Sequence, residues 1–576
     1  MLRQQLAMFG VEGFIIPRAD EQLGEYVPDA AARLAWLTGF TGSAGLAIVL
    51  QDRAAVFSDG RYTLQLEQEV DGALYERVHS VTTPPPTWLG PHAAGQRIGY
   101  DPWLMSEAAA ARYTEAGVML VPCENLIDAI WHDRPALPDA IAVPHPIEQA
   151  GTDSAAKRMA IGQALRDARH DAAVLTDTAS VAWLFNIRGA DLPFTPVALG
   201  FALIRADGTA TLFMDAPKRA GLAEWLGPDV TGVGRAALPG ALAALTGQTV
   251  RVDNAGSPAW FAQTLRTAGA TVVDGPDPCA LPRASKNAAE QTGARAAHLR
   301  DGAALCRFLH WLDGAGVGQS ESAVADRLRD FRAMDPAFRG ESFPAIVGTG
   351  PNGAVIHYRA APGQDRVLAR NEVVLIDSGG QYADGTTDVT RTVWTGPDTP
   401  PQHLRAPFTQ VLRGHIALTT AVFPVGVAGP HLDAFARRPL WEAGLDYDHG
   451  TGHGVGAYLS VHEGPASISR AGRIVPLAPG MILSNEPGYY LPEQYGIRLE
   501  NLLLVQEARE KWLHFDTLTL APFDQRLLDP ALLTAGEAAW LAAYHARVLA
   551  EIGPLLDGAA LDWLRAACAA PDARTG

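Results

Sequence analysis

Residues 373–392, VVLIDSGGQYADGTTDVTRT, decide how the rest of the chain is read. Val373-Val374-Leu375-Ile376 is a short apolar run ending in Asp377, the pattern of a buried strand. Asp384-Gly385 supplies turn chemistry, and Thr387 to Val393 alternates as a second strand. Paired as a hairpin, these strands project Asp377 and Asp388 from the same face. The device returns downstream. Met481-Ile482-Leu483 leads into Glu486, and Ile497 to Leu504 carries Glu500, with Pro487-Gly488 and Gly496 marking the connection. Between the two hairpins, His453 stands in the glycine-rich stretch HGTGHGVG, residues 449–456.

A carboxylate at the end of an apolar strand is costly to bury unless a cation compensates it. One such acid alone reads best as a cap or an ion-pair partner. Four at paired strand positions are harder to neutralise, because Arg498 and Arg391 are the nearby cations and two do not balance four. Asp377, Asp388, His453, Glu486 and Glu500 are therefore the candidate ligands of two divalent metal ions. Four carboxylates with one imidazole suit ions of intermediate hardness such as Mn, Co, Fe or Zn. Calcium would want more oxygens, and structural zinc would want cysteine.

These motifs, together with VHEGP (461–465), SNEPGYY (484–490), GIRLEN (496–501) and ESFPAIVGTGPNGAVIHY (341–358), resemble the signatures of the M24 pita-bread metallopeptidases. Within that family the long, three-domain Xaa-Pro aminopeptidases share the length, the GPNGAVIHY segment (350–358) and the tail. The resemblance implies an α/β (α+β) chain: two related creatinase-type N-terminal domains, a pita-bread catalytic domain and a helical C-terminal extension. It implies hydrolysis of the bond between an N-terminal residue and a following proline. Manganese is the implied metal, with cobalt or zinc as alternatives, and the implied assembly is a homodimer formed with the C-terminal extension. His357 is expected to line the substrate pocket, and His449 and His462 to hydrogen-bond the substrate and the tetrahedral oxyanion. Arg498 is expected to orient a ligating carboxylate. A lone histidine is more often a structural hydrogen-bonder, and the chain has 16; these three stand out by lying beside the metal residues. His449 and His453 are four apart, but the glycines between them argue against a helical zincin-type pair.

A metal pair lowers the pKa of a shared water enough to supply hydroxide at neutral pH. Attack on the scissile carbonyl would follow, with Glu486 as proton shuttle or as ligand alone. The preference for proline rests on the resemblance, since nothing in composition reveals a pocket for a pyrrolidine ring. Two other readings stand beside it: an Xaa-Pro dipeptidase (prolidase), and a non-enzymatic pita-bread peptide-binding protein. The second should have lost ligands, whereas all five positions are filled.

At 576 residues the chain is too long for one core, and about three to four domains are expected. Hydrophobic residues at 48% and charged residues at 19% are ordinary for a globular protein. A net charge of −17 with no Lys/Arg block argues against a nucleic-acid partner. Four scattered cysteines point to a reducing cytoplasm. No apolar run reaches membrane-spanning length, and the first residues lack the core and cleavage site of a signal peptide.

The expected partition is 1–150 and 151–284 for the two N-terminal domains, 285–508 for the catalytic domain and 509–576 for the extension. Ala35-Trp36-Leu37 and the divided strands AIVLQDRAAVFSD recur as Ala182-Trp183-Leu184 and FALIRADGTATLFMD, which points to internal duplication. Helices are expected over 30–37, 287–313, 320–334, 407–423 and 432–443. Pro84-Pro85-Pro86 reads as a stiff exposed segment with Trp88 as a surface aromatic. TGFTGSAG (38–45) lacks the Lys-Ser/Thr ending of a phosphate loop and reads as a tight strand entry. Thr534 with Glu537 predicts a capping box before a helix whose Trp540, Leu541, Tyr544 and Val548 pack on the catalytic domain or on a second subunit.

Overall fold

The computed structural model describes residues 1–569; the last seven residues of the expected C-terminal extension lie outside the described residues. The chain divides into two compact units, Met1–Ala280 and Leu281 onward.

The first unit contains two six-stranded sheets of the same design. In one, the order is Glu76–His79, Ala54–Ser58, Leu46–Leu50, Gly13–Pro17, Arg97–Tyr100, Met119–Pro122. In the other it is Val230–Val233, Ala210–Phe213, Phe201–Arg205, Ala172–Leu175, Thr249–Val252, Thr271–Asp274. Each pairs its first three strands in sequence antiparallel and adds the rest in parallel. Identical order and sense in two halves is the architecture that duplication leaves behind, so the repeated Ala-Trp-Leu segments mark equivalent helices, Arg33–Thr38 and Thr178–Phe185.

Two expectations here need correction. The helix over 30–37 is broken: Asp29–Ala31 forms a 3₁₀ turn and the α-helix starts at Arg33. The triple proline is not an exposed spacer. Pro85 and Pro86 open the helix Pro85–His92, where a missing N–H costs nothing because the first turn has no acceptor for it. That helix buries Trp88, whose ring meets Phe57 edge-on and whose indole N–H donates to Glu76 Oε2 at 3.0 Å.

The second unit repeats a simpler plan, a helix pair followed by strands. Asn287 caps Ala288–Ala315 in a capping box with Glu290, and Ser320 caps Glu321–Ala333. They precede a three-stranded sheet, Ile346–Thr349, Val373–Ser378 and Val389–Trp394. The helices Gln402–Thr419 and Asp433–Glu442 then precede a six-stranded sheet that includes Gly452–Gly454, Ile482–Asn485 and Asn501–Arg509. The first of these helices begins five residues before Pro407, which sits inside it. Proline has no N–H for the carbonyl four residues back, and that carbonyl, of His403, instead accepts the Tyr495 hydroxyl at 2.8 Å.

The helix Ala535–Ile552 carries the expected Thr534–Glu537 box. Its aromatic stripe packs within the second unit: Tyr544 and Val548 join one core with Phe408, Leu412, Leu499 and Phe523. Among the described residues no helix is long and apolar enough to cross a membrane. Cys123, Cys306 and Cys568 are free.

Replacing Trp88 by Ala removes a buried ring and its hydrogen bond, and should cost about 3–5 kcal/mol. Denaturant unfolding followed by fluorescence should show an earlier first transition; an unmoved midpoint would place the ring outside the core.

Candidate metal centre

Asp377 is the fifth residue of the strand Val373–Ser378, opposite Thr390 of Val389–Trp394. Asp388 immediately precedes that second strand. The connection between them is longer than a simple turn, since Gly380–Tyr382 and Gly385–Thr386 form a small ribbon of their own with Phe338–Glu341. In the other half, Ile482–Asn485 pairs with Asn501–Arg509 so that Asn485 faces Asn501. Glu486 follows the first and Glu500 precedes the second. The expected strand 497–504 is in fact interrupted, because Tyr495–Arg498 belongs to a ribbon with Gly488–Leu491. Glu500 thus sits at a strand break, where a side chain can leave the regular alternation.

The structure brings these acids together around His453. Ligand atoms of Asp388, His453 and Glu500 all lie within 4.8 Å of one another. His453 Nε2 is 3.4 Å from Asp388 Oδ2 and 3.6 Å from Glu486 Oε1. Asp377 joins through Arg498, whose Nη2 donates to Asp377 Oδ2 at 2.7 Å. Asp377, Asp388 and Glu500 are buried, and Oδ1 of both aspartates is buried without a hydrogen-bond partner.

The electrostatics show what such a cluster lacks. Burial pushes the Asp377 carboxyl up to about 6, with Arg498 pulling it back while Asp388 and Glu486 repel it. Burial raises Glu486 as well, and raises Glu500 far above the ordinary glutamate range with Asp388, Asp377 and Glu486 adding repulsion. Burial opposes a charge on His453, yet the Asp388 and Glu486 carboxylates outweigh it and lift the ring to about 9. Each of these shifts is relieved by a cation placed among the oxygens.

The donor set fits a metal on geometric grounds too. His453 Nδ1 lies 2.9 Å from the Gly454 carbonyl, which can only accept. Nδ1 therefore carries a hydrogen, and Nε2 is the nitrogen turned to the acids, where a metal ion would take the place of its proton, the arrangement found for ligating histidines. Two orphaned carboxylate oxygens supply further donors.

Of the two arginines expected to balance the acids, Arg498 does so and Arg391 does not. Arg391 is fully buried and donates to the carbonyls of Pro522, Thr390, Glu500 and Ala521, to Asn501 Oδ1 and to the Tyr544 hydroxyl. It ties backbone together. The shortage of positive charge at the acids is larger than the sequence suggested.

The three histidines surround the cluster. The His462 ring stands edge-on to His453 with centroids 4.3 Å apart. His449 donates from Nδ1 to the Gly450 carbonyl at 2.7 Å, so its Nε2 takes the hydrogen of the Tyr490 hydroxyl at 2.8 Å. Arg498 Nη1 donates to that same hydroxyl at 2.6 Å. Tyr490 thus connects His449 to Asp377, a role that its place in SNEPGYY did not reveal. Thr390, also missed, donates from its hydroxyl to Glu500 Oε2 at 2.6 Å. Ser484 Oγ lies 3.2 Å from Glu486 Oε1 and accepts from the His453 backbone at 2.9 Å.

His357 follows Ile356, whose carbonyl lies 3.4 Å from Arg498 Nη2. The segment bearing it is fixed by Glu321, the first residue of its helix and fully buried. One carboxylate receives Thr349 N, Asn352 Nδ2, the Tyr358 hydroxyl and Arg366 N, at 2.7 to 3.1 Å. Gly353 and Gly496 lock the other side, because a Cβ on Gly496 would lie 1.7 Å from the Gly353 carbonyl oxygen.

Two related helix-and-strand halves closing on four carboxylates and an imidazole define a class of metallopeptidase, and comparison with known proteins identifies it. The description of metallopeptidase family M24 matches residues 292–507. The creatinase/prolidase N-terminal domain matches twice, at 1–130 and 133–290, and the C-terminal region of peptidase M24 matches 511–570. The chain belongs to metallopeptidase family M24. Over nearly its whole length it is similar to proteins named Xaa-Pro aminopeptidase P. One, from Laccaria bicolor and named probable, is 38% identical over 98% of this chain and 92% of its own. Aminopeptidase P2 of Arabidopsis thaliana is 38% identical over 96% and 85%. The crystal structure of X-prolyl aminopeptidase from Caenorhabditis elegans, described as a cytosolic enzyme with a di-nuclear active site, superposes with a TM-score of 0.91 at 33% identity, covering 97% and 95% of the two chains.

Glu321→Gln replaces an acceptor by a donor facing four donors, at a cost of about 1–3 kcal/mol. Hydrogen exchange should speed up over residues 349–366 and leave the 288–315 helix unchanged. Protection unchanged over 349–366 would mean that the glycine contact alone holds the segment.

Proposed function

We propose that this chain is a metal-dependent aminopeptidase that releases the N-terminal residue from peptides with proline in the second position. The observation that carries the reading is the buried cluster itself. Asp377, Asp388, His453, Glu486 and Glu500 converge, with Arg498 hydrogen-bonded to Asp377 and with two aspartate oxygens unpartnered. Near-full-length similarity to proteins named for this activity supplies the substrate class.

In this reading the five residues hold two divalent ions, of which manganese is our choice, with cobalt or zinc as alternatives. Bound there, such a pair supplies a nucleophilic hydroxide at neutral pH and polarises the scissile carbonyl. The protein's own groups do the rest. Glu486, steered by Ser484 and beside His453, carries a proton towards the leaving nitrogen. His462 reaches substrate from the exposed side of His453. His449, oriented by the Gly450 carbonyl and the Tyr490 hydroxyl, serves the same pocket and so does His357. Arg498 fixes Asp377 in one rotamer and, through Tyr490, fixes His449. The imide nitrogen of an Xaa-Pro bond has no N–H to satisfy, so the site needs no acceptor there.

We further propose the partition 1–150, 151–284, 285–508 and 509–576, a homodimer formed with the last segment, and residence in the cytoplasm, as described for the C. elegans protein.

The test compares Xaa-Pro-Yaa with the dipeptide Xaa-Pro, with manganese and then with chelator. Release of the first residue from the tripeptide, abolished by chelator, is the expected result. Cleavage of the dipeptide alone would make the protein a prolidase; metal-free protein without cleavage would make it a binding protein. Glu486→Gln should lower kcat by about 10²–10⁴-fold if the proton passes through it, while full activity at intact metal content would leave Glu486 a ligand only.

A further inference from the structure

We infer that the C-terminal extension is part of the metal centre's scaffold, with Tyr544 a positioning residue that holds the Glu500 turn in place through Arg391. The inference rests on the proposed function, since it takes Glu500 and Asp388 as ligands.

The path is short and continuous. Thr390 and Arg391, two and three residues beyond Asp388, grip Glu500 from both ends. The Thr390 hydroxyl donates to the Glu500 carboxylate at 2.6 Å, and Arg391 Nη1 donates to the Glu500 carbonyl at 2.6 Å. Side chain and backbone of one ligand are therefore set by the strand that follows another. Arg391 can do this only if its guanidinium is held still, and its remaining donors are spent on that. Nε takes the Pro522 carbonyl, and Nη2 takes Asn501 Oδ1, the Ala521 carbonyl and, at 3.1 Å, the Tyr544 hydroxyl. The fork lies 4.3 Å above the Phe523 ring.

Among the described residues Tyr544 is the one side chain of the extension that hydrogen-bonds to Arg391, 153 residues away in sequence. Its hydroxyl also receives Ala521 N at 3.3 Å and lies 2.9 Å from the Ala521 carbonyl and 3.0 Å from that of Thr519. Trp540 stacks flat on its ring, and the Phe523 N–H donates to His545 Nε2 at 3.1 Å. The helix 535–552 thus pins 519–523, and the pinned carbonyls aim the guanidinium. A helix present only to bury apolar area would not need a hydroxyl at the centre of this arrangement. Removing it leaves the core filled and lets the fork and the Glu500 backbone relax together.

The test uses the full-length chain, stripped of metal and titrated calorimetrically with Mn²⁺. Tyr544→Phe is set against Val548→Ala, a fully buried apolar position one turn along the same helix whose side chain cannot hydrogen-bond to the fork. Phe at 544 should leave the metal-free melting temperature near wild type and weaken uptake of the more loosely held ion by about fivefold, below the 10–100-fold range of groups bonded directly to a ligand. Ala at 548 should lower the melting temperature and leave the titration unchanged. A Tyr544→Phe titration within about twofold of wild type overturns the inference, and so does an equal weakening in Val548→Ala, which would reduce the effect to general loosening. Wild type that takes up fewer than two ions counts against the proposed function itself, and is read before either variant is compared.

Discussion

Four carboxylates held in one buried space repel one another, and that repulsion governs the second unit of this protein. Left to themselves they would protonate or turn to solvent, since a buried and unpaired charge costs several kcal/mol. Here they can do neither easily. Asp377 is held by Arg498, Glu500 by Thr390 and Glu486 by Ser484, while Asp388 faces the His453 ring. The protein spends hydrogen bonds to keep an arrangement that only added positive charge makes comfortable. That stored demand is what selects a cation, and it explains why the surrounding polar groups donate to the acids.

The two halves meet this demand by the same local device. In each, an antiparallel strand pair places one acid at the end of an apolar strand and another at the entry to its partner. Three of the four acids sit at or beyond strand ends, where the alternation of side chains is broken and a carboxylate can turn towards the centre. His453 comes from a short strand whose neighbours are glycines, and a Cβ on Gly452 would stand 2.0 Å from the Ser484 carbonyl oxygen. The backbone therefore approaches closely enough for one imidazole to reach across to two carboxylates.

Much of this was legible because it is written locally. Asn287 with Glu290, Ser320, and Thr534 with Glu537 announce helix starts through side chains that act within three residues of themselves. The apolar runs before Asp377 and Glu486 announce buried strands by period alone. The duplicated sheets left matching segments in both halves. What stayed hidden depends on partners remote in sequence. Arg391 reads as a counter-charge for the acids until Pro522, Ala521 and Tyr544 claim it. Tyr490 reads as one aromatic in a pair until His449 and Arg498 converge on its hydroxyl. The prolines at 84–86 look like a spacer because composition does not show that a helix end can use them.

Pro407 offers a last lesson in how a fold keeps its parts registered. A residue that cannot donate leaves the carbonyl one turn back, on His403, without its usual helical donor. Only a donor brought from elsewhere can fill it, and Tyr495, at the start of the ribbon that ends in Arg498, does so. The imperfection in the helix is the point at which a distant strand is tied to it. With a flawless helix here that carbonyl would already be bonded within the helix, and the tie would lose its acceptor.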